Sequence, residues 1–367
     1  MQILHWQTLL EQTVAFDDPE CRRRLEAWKT AIGLQSVDDL HVSMRLIEAA
    51  RRHIEGKGSI KDLCKRICTV FEADPDQLHR EDSTIEADLV SARMVEVLLD
   101  PSFRFSAVEL ANIHLRLFSD LYEDAGSLRT CQLYKTEPFL NGDSVIYAPH
   151  EQIIEILRYD FHTERNFYYD DATFLDVVIH YAKFISNLWQ IHPFRQGNTR
   201  TIGIFMLKHV RSFGLELRSN VFADDSVAFR NALLSANYSN PKKGIKPNYN
   251  ALVLFMSHLL VGTRLDVFRT HSFRECPGAN IQTGLCPEVT EEVSRALSCT
   301  FQEAIFLNYL YQYPTITQKE LSQKMSKPYR LVQQAMTSLQ KKGYIRRKNG
   351  NRYGSWEILF DKVSDES

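Results

Sequence analysis

The chain has 367 residues, with 44 Lys plus Arg against 46 Asp plus Glu, a net charge of −2 and 44% hydrophobic residues. That length exceeds one compact core and fits two or three domains. The near-neutral balance excludes a chain-wide nucleic-acid or membrane-surface signature, and the hydrophobic content excludes a disordered chain. No apolar run approaches ~18 residues, so no transmembrane helix is expected. The start, MQILHWQTLLEQ, lacks a basic region followed by an apolar core, so no signal peptide is expected. The seven cysteines are odd in number, and their spacings fit no zinc finger or ribbon. Cys64 and Cys68 lie one helical turn apart and read as small buried hydrophobes. A reducing cytoplasm is the simplest home for such a chain.

Residues 1–70 read as a module of short helices. Leu9, Leu10 and Val14 give one apolar face, and Leu25, Trp28 and Ile32 give another. Residues 38–55 carry Leu40, Met44, Ile47, Ala50 and Ile54 at helical spacing. The pattern breaks at 56–59, and Ser59 with Asp62 can cap the next helix. Residues 71–104 lead into the main core. Within them 83–100 read as a helix through Ile85, Leu89, Ala92, Val95 and Leu99, ended by Pro101. Ser83 and Glu86 form an S-x-x-E capping box, a sufficient structural reason for Glu86.

Residues 106–122 read as a further core helix. The segments LYKTEPFL and SVIYA then flank Asn141 and Gly142, a turn pair that predicts a β-hairpin. Arg129 precedes it, and a helix over 150–160 follows. Residues 174–189 have a wide apolar face from Phe174 through Val178, Tyr181 and Ile185 to Trp189. A second such face begins at Ile202 and Phe205, with Gly214 as its stop.

Between these two helices lies a polar turn holding His192, Arg195, Gly197, Asn198, Thr199 and Arg200. Gly197 lets the backbone curl and approach a ligand. The N–H groups that open the next helix favour an anion, and Arg200 adds a forked donor suited to phosphate. His192 titrates near neutrality in its ordinary state, as a general base should. The bland alternative is a short loop with one His and one Gly joining two core helices.

Farther on, residues 251–260 close the core, and THSFRECPGANIQTGLCP within 266–288 reads as a linker. Over 289–362 the pattern is helix, turn, helix, then two strands around 344–347 and 355–359, which resembles a winged helix-turn-helix. From Lys319 to Arg352 ten basic residues face one acid, Glu320, a balance of +9. Arg330, Arg346, Arg347 and Lys348 are therefore candidates for duplex DNA contact. A protein-docking winged helix is the alternative.

The turn reads H-P-F-R-Q-G-N-T-R, which resembles the core motif H-x-F-x-[D/E]-G-N-G-R of the Fic (Fido) family, in a subgroup with G-N-T-R-T. The likeness covers 105–265. It implies a mainly α fold: a Fic-type helical core with a β-hairpin flap, here with an antitoxin-like N-terminal module and the C-terminal winged helix. It implies an enzyme that transfers AMP from ATP to a hydroxyl side chain of a protein. Carried over, His192 is the base and Phe194 anchors the loop. Gly197, Asn198, Thr199 and Arg200 hold the phosphates, and Tyr238 lies beside the base of the nucleotide. Gln196 stands where the family keeps the acidic Mg²⁺ ligand, an amide that binds the ion weakly. Asn141 and Gly142 tip the flap that pairs with the target, and Gly203 replaces the last Arg. Glu86 lies in a partial match to the family's inhibitory motif, but the helix cap is the preferred reading. Gln35 stands nearest the expected inhibitory position of the N-terminal module.

The expectation is thus a protein adenylyltransferase using ATP and Mg²⁺, with a target protein bearing a Ser, Thr or Tyr hydroxyl and a homodimer as a further prospect. The alternative is a DNA-binding regulator whose Fic-like domain binds nucleotide and turns it over weakly.

Overall fold

The computed structural model describes residues 3–12, 18–73, 84–169, 172–215, 220–261, 299–348 and 354–359. The fold is mainly helical. The N-terminal part holds α1 (Ile3–Glu11), α2 (Pro19–Gly33), a 3₁₀ turn (Leu34–Asp38), α3 (Met44–Ile54) and α4 (Ile60–Ala73). Then come α5 (Ile85–Leu99), α6 (Ala107–Phe118), α7 (Ile153–Arg165), α8 (Phe174–Ile191), α9 (Asn198–Ser212), α10 (Asn220–Asn237) and α11 (Asn250–Val261). The C-terminal part holds α12 (Phe301–Gln312), α13 (Gln318–Lys324), α14 (Tyr329–Lys341), β1 (Ile345–Lys348) and β2 (Ser355–Ile358).

Local chemistry accounts for most helix ends. Asp18 caps α2 with Pro19 in its first turn, and Ser43, Ser106 and Thr173 cap α3, α6 and α8 through their hydroxyls. Because Asp39 is left-handed and Ser43 supplies the cap, α3 starts later than the apolar pattern suggests, and Met44 is left exposed. Thr300 and Thr317 head complete capping boxes with Glu303 and Glu320.

The N-terminal helices share one apolar core with the rest. Trp28, Leu34, Phe205, Phe222 and Phe255 belong to a single buried cluster. A Cβ on Gly33 would lie 2.2 Å from the Phe222 carbonyl oxygen, so α2 and α10 touch backbone to backbone only because that residue is glycine. This contact brings the turn after α2, with Gln35 and Asp38, down onto α9 and α10.

Two expectations are corrected. The turn at Asn141 and Gly142 is present, both residues with positive φ (54° and 86°), but residues 128–149 form no strands. The arms make no strand ladder, and part of their backbone bonds to neighbouring elements. The Arg129 amide donates to the Pro193 carbonyl (2.8 Å) and the Ala148 amide to the Gln190 carbonyl (3.3 Å). The flap is therefore stitched to the end of α8 and to the loop after it, and its backbone bonds across itself only near its tip, where the Glu137 amide donates to the Asp143 carbonyl (2.9 Å). The second correction concerns Glu86. The N-cap of α5 is Thr84, without a side-chain cap bond, and Glu86 points at Arg200 instead. Ser83 lies outside the described residues, as do Val14, the whole 266–288 linker and Arg352.

Over 299–359 the helices α12, α13 and α14 are followed by the antiparallel pair β1–β2, with Arg347 opposite Trp356. No helix among the described residues is long and apolar enough to cross a membrane.

Candidate active site

The α8–α9 turn is built by interlocking side chains. His192 ends α8 in the left-handed region (φ 50°), and Gly197 opens α9 with φ 67°. A Cβ on Gly197 would sit 2.4 Å from the Phe118 ring. Asn198 closes the loop like a staple: Oδ1 accepts from the Phe194 amide (3.0 Å) and Nδ2 donates to the Phe194 carbonyl (2.7 Å). Thr199 Oγ1 accepts from Trp189 Nε1 at 3.0 Å. Phe194 is buried and stacks on His114 at 3.9 Å. His114 Nδ1 accepts from the Gly126 amide (2.8 Å), so its proton is on Nε2, which donates to the Gln196 carbonyl (3.1 Å).

His192 is 3% exposed and stacks on Tyr147 at 4.1 Å. Nδ1 faces the Trp189 carbonyl oxygen at 3.4 Å, which places the proton there and leaves the lone pair on Nε2. Nε2 is buried without a partner, as is the Tyr147 hydroxyl. Burial, then the charges of Lys135, Arg129 and Arg230, hold the His192 pKa well below the ordinary imidazole value. The ring is therefore neutral, an unprotonated base whose free lone pair awaits a donor.

Arg129 fixes the surroundings. Its guanidinium donates to the carbonyls of His192 (Nε, 2.7 Å), Cys131 (2.7 Å), Ile191 (3.2 Å) and Ala148. One side chain thus ties both arms of the flap to the His192 loop.

Arg200 is 2% exposed, its two terminal nitrogens hydrogen-bonded and its Nε ion-paired with a carboxylate. Nε lies 2.7 Å from Asp38 Oδ2, Nη2 donates to Glu86 Oε1 at 2.7 Å, and Nη1 donates to Gln35 Oε1 at 3.1 Å. The Tyr122 hydroxyl also donates to Glu86 Oε1 (2.6 Å), and the Phe118 ring lies 4.9 Å below the guanidinium. Burial opposes the Arg200 charge, but Asp38, Tyr122 and Glu86 outweigh it and its pKa stays raised. Asp38 also pairs with Arg230 (3.2 Å), and Arg230 grips Glu137 with both oxygens (2.7 and 3.0 Å). A continuous chain of charges thus runs Glu137, Arg230, Asp38, Arg200, Glu86. Lys135 lies within its field, with a pKa lowered first by burial.

The structure therefore brings His192, Gly197, Asn198, Thr199 and Arg200 into one turn. Their tasks divide differently from the sequence reading: the Asn198 and Thr199 side chains fasten the loop, which leaves their backbone N–H groups at the start of α9. Tyr238 meets the flap tip, its hydroxyl donating to Asp143 Oδ2, which also takes Lys243 Nζ (2.9 Å). Gln196 is exposed, and the neighbouring Arg195 pairs with Asp124 at 3.8 Å. Gln196 offers Mg²⁺ one neutral oxygen, and no group of three His, Cys, Asp or Glu side chains among the described residues suits a metal ion. These donors do not make a resident Mg²⁺ site. In the C-terminal part Arg330 and Lys348 are exposed, Arg346 pairs with Glu357 (2.6 Å), and Arg347 lies 4.7 Å over the Trp356 ring. Asp38 and Glu137 were not legible as site residues, because each sits in an unremarkable helical or loop pattern.

Residues 104–209 match the family model described as the Fic/DOC family, a stretch that takes in the whole α8–α9 turn. No curated protein matches the chain. Among solved structures, BepC from Bartonella tribocorum, crystallised with AMPPNP, is 18% identical over 48% of this chain and 87% of its own, with a TM-score of 0.36. The N-terminal Fic domain of a Bep effector from Bartonella sp. AR 15-3 is 20% identical over 55% of this chain and 83% of its own (TM-score 0.35). A Fic family protein from Desulfovibrio desulfuricans G20 is 12% identical over 97% of this chain and 95% of its own (TM-score 0.42).

Proposed function

We propose that this chain is a Fic-type nucleotidyltransferase that moves AMP from ATP to a Ser, Thr or Tyr hydroxyl of a protein. The observation that carries the reading is His192: neutral, buried, with an unpartnered Nε2, at the mouth of the Gly197 turn. The family match over 104–209 supports it. In this reading the target oxygen attacks the α-phosphorus of ATP, the bond to the bridging oxygen breaks, and pyrophosphate leaves. His192 Nε2 takes the proton of the attacking hydroxyl. The N–H groups at the start of α9 hold phosphate oxygens, and Mg²⁺ enters with the triphosphate rather than on a protein site. The flap tip at Asn141 and Gly142 guides the target segment.

Arg200 is the phosphate ligand of this scheme, and in the present conformation Asp38 and Glu86 occupy its donors. The resting chain is thus a restrained one, with Glu86 in an inhibitory place. The test is incubation with Mg²⁺ and ATP labelled at the α-phosphate, a lysate as target source and His192→Ala as control. Label on protein that requires His192 supports transfer; equal labelling with and without His192 refutes it.

The same occupied arginine, together with exposed Arg330 and Lys348, favours a second reading: a DNA-binding regulator whose turn binds nucleotide without turning it over. Residues 299–359 act in it as a winged helix-turn-helix. Nucleotide binding without label transfer, joined to salt-sensitive duplex binding, would favour it over the first.

A further inference from the structure

Behind the flap lies a groove of about 460 Å³ bounded by Ile146 to Pro149 of the flap, Ile156, Tyr159 and Asp160 of α7, and Asn187, Gln190 and Ile191 at the end of α8. Its walls are largely apolar, with the Asn187 and Gln190 amides at the α8 end and a single carboxyl, that of Asp160. Asp160 is 8% exposed, and its carboxyl makes no hydrogen bond or ion pair among the described residues. Buried carboxylates are ordinarily paired, because the cost of removing the charge from water is otherwise unmet. Burial alone raises this pKa to about 6, so at neutral pH the groove still holds a negative charge with nothing opposite it.

The rim is equally unusual. Ile146 is 79% exposed and Tyr159 69%, two large apolar side chains in water at the mouth of the groove. Between them a long side chain could lay an aliphatic stem and carry a charged head inward to the carboxyl. A guanidinium suits this better than an ammonium, since it pairs with a carboxylate through two parallel bonds and stacks on a phenol ring. The groove also adjoins the reacting turn. Tyr147, on its wall, stacks on His192, and Gln190 Nε2 donates to the Ile146 carbonyl (3.1 Å).

We propose that this groove receives a basic side chain, arginine before lysine, of the protein that docks along the flap. The assignment rests on the reading that the flap receives a protein target, and it names a selection rule for that target: a basic residue near the modified hydroxyl. The binding step needs neither ATP nor His192.

The test is saturation-transfer NMR on the full chain with N-acetyl-arginine amide, and with the leucine and glutamate amides as apolar and acidic controls. Arginine is expected to bind at least tenfold tighter than leucine, with glutamate undetected. Asp160→Asn should erase the preference for arginine over leucine. Asn187→Arg, at an exposed position on the rim, should weaken arginine binding at least fivefold and serves should Asp160→Asn fail to fold. Equal binding of the arginine and leucine probes, or arginine binding that survives both substitutions, overturns the proposal and leaves AMP transfer standing. Arginine binding without label transfer would leave the groove standing and refute the transferase.

Discussion

Asp38 Oδ2 lies 2.7 Å from Arg200 Nε, and Asp38 Oδ1 lies 3.2 Å from Arg230 Nη1, so one carboxylate from the N-terminal module sits between two arginines of the core. An anionic ligand that needs Arg200 must compete with it. Asp38→Asn removes the competing charge and leaves Arg200 with Glu86 and Gln35 as partners. ATP affinity, measured by calorimetry, should rise on the order of tenfold, equivalent to ~1.4 kcal/mol. The folded state should lose about 1–2 kcal/mol, because a buried arginine keeps one carboxylate fewer. Unchanged or weaker ATP binding would show that Asp38 does not stand in the ligand's place.

Gly197→Ala is expected to be severe for two separable reasons. The backbone there has φ 67°, which costs an L-residue about 1–2 kcal/mol. The new methyl would also lie 2.4 Å from the Phe118 ring, an overlap that adds about 1–3 kcal/mol. Thermal melts should show a loss of several degrees at least. Phe118→Leu in the same chain should recover the packing part but not the backbone part. A variant as stable as the parent would refute both contributions.

The sequence was informative where a local rule has a single outcome. The periods of 174–189 and 202–210 became α8 and α9, and Ser106, Thr317 and Gly214 ended helices as their chemistry demands. The turn residues came together because they are neighbours in sequence. What stayed hidden depends on long-range approach. Asp38 reaches Arg200 and Arg230 because Gly33 lets α2 settle on α10, a contact no local pattern encodes. Glu86 fitted a capping box so well that its partner on α9 was not evident. The flap looked like a hairpin, yet it forms no ladder and is held by Arg129 to the end of α8 and the loop after it, and propensity carries no information about that choice.

Acid should destabilise the fold through its buried neutral histidines. Burial lowers His114 to about 4 and His209 to about 3, and lowers His192 as well. In the unfolded chain each imidazole takes a proton near ~6.5, so this stability is present above that pH and is lost as pH falls below it. Over the full range His114 puts on the order of 3 kcal/mol at stake and His209 on the order of 5 kcal/mol. Asp160 works in the opposite sense: raised to about 6, it favours the folded state at low pH and loses that contribution as pH rises through 6. Three histidines outweigh one carboxyl, so the urea midpoint should be lower at pH 5 than at pH 7, and Asp160→Asn should steepen the drop. A higher midpoint at pH 5 would be incompatible with neutral buried imidazoles.

Duplex DNA binding, tested by fluorescence anisotropy across a salt series, separates the exposed basic residues from the engaged ones. Arg330, Arg346 and Lys348 are all exposed, but Arg346 is held by Glu357 at 2.6 Å, and Arg347 lies over Trp356. A cation that neutralises one phosphate contributes about 0.9 to the slope of log K against log salt. Arg330→Ala and Lys348→Ala should therefore each lower that slope by about 1 and weaken binding to all sequences alike. Arg346→Ala should change it less, since its charge is already balanced within the β1–β2 pair. No binding at low ionic strength, or a slope that none of these substitutions moves, would end the DNA reading and leave residues 299–359 as a protein-docking module.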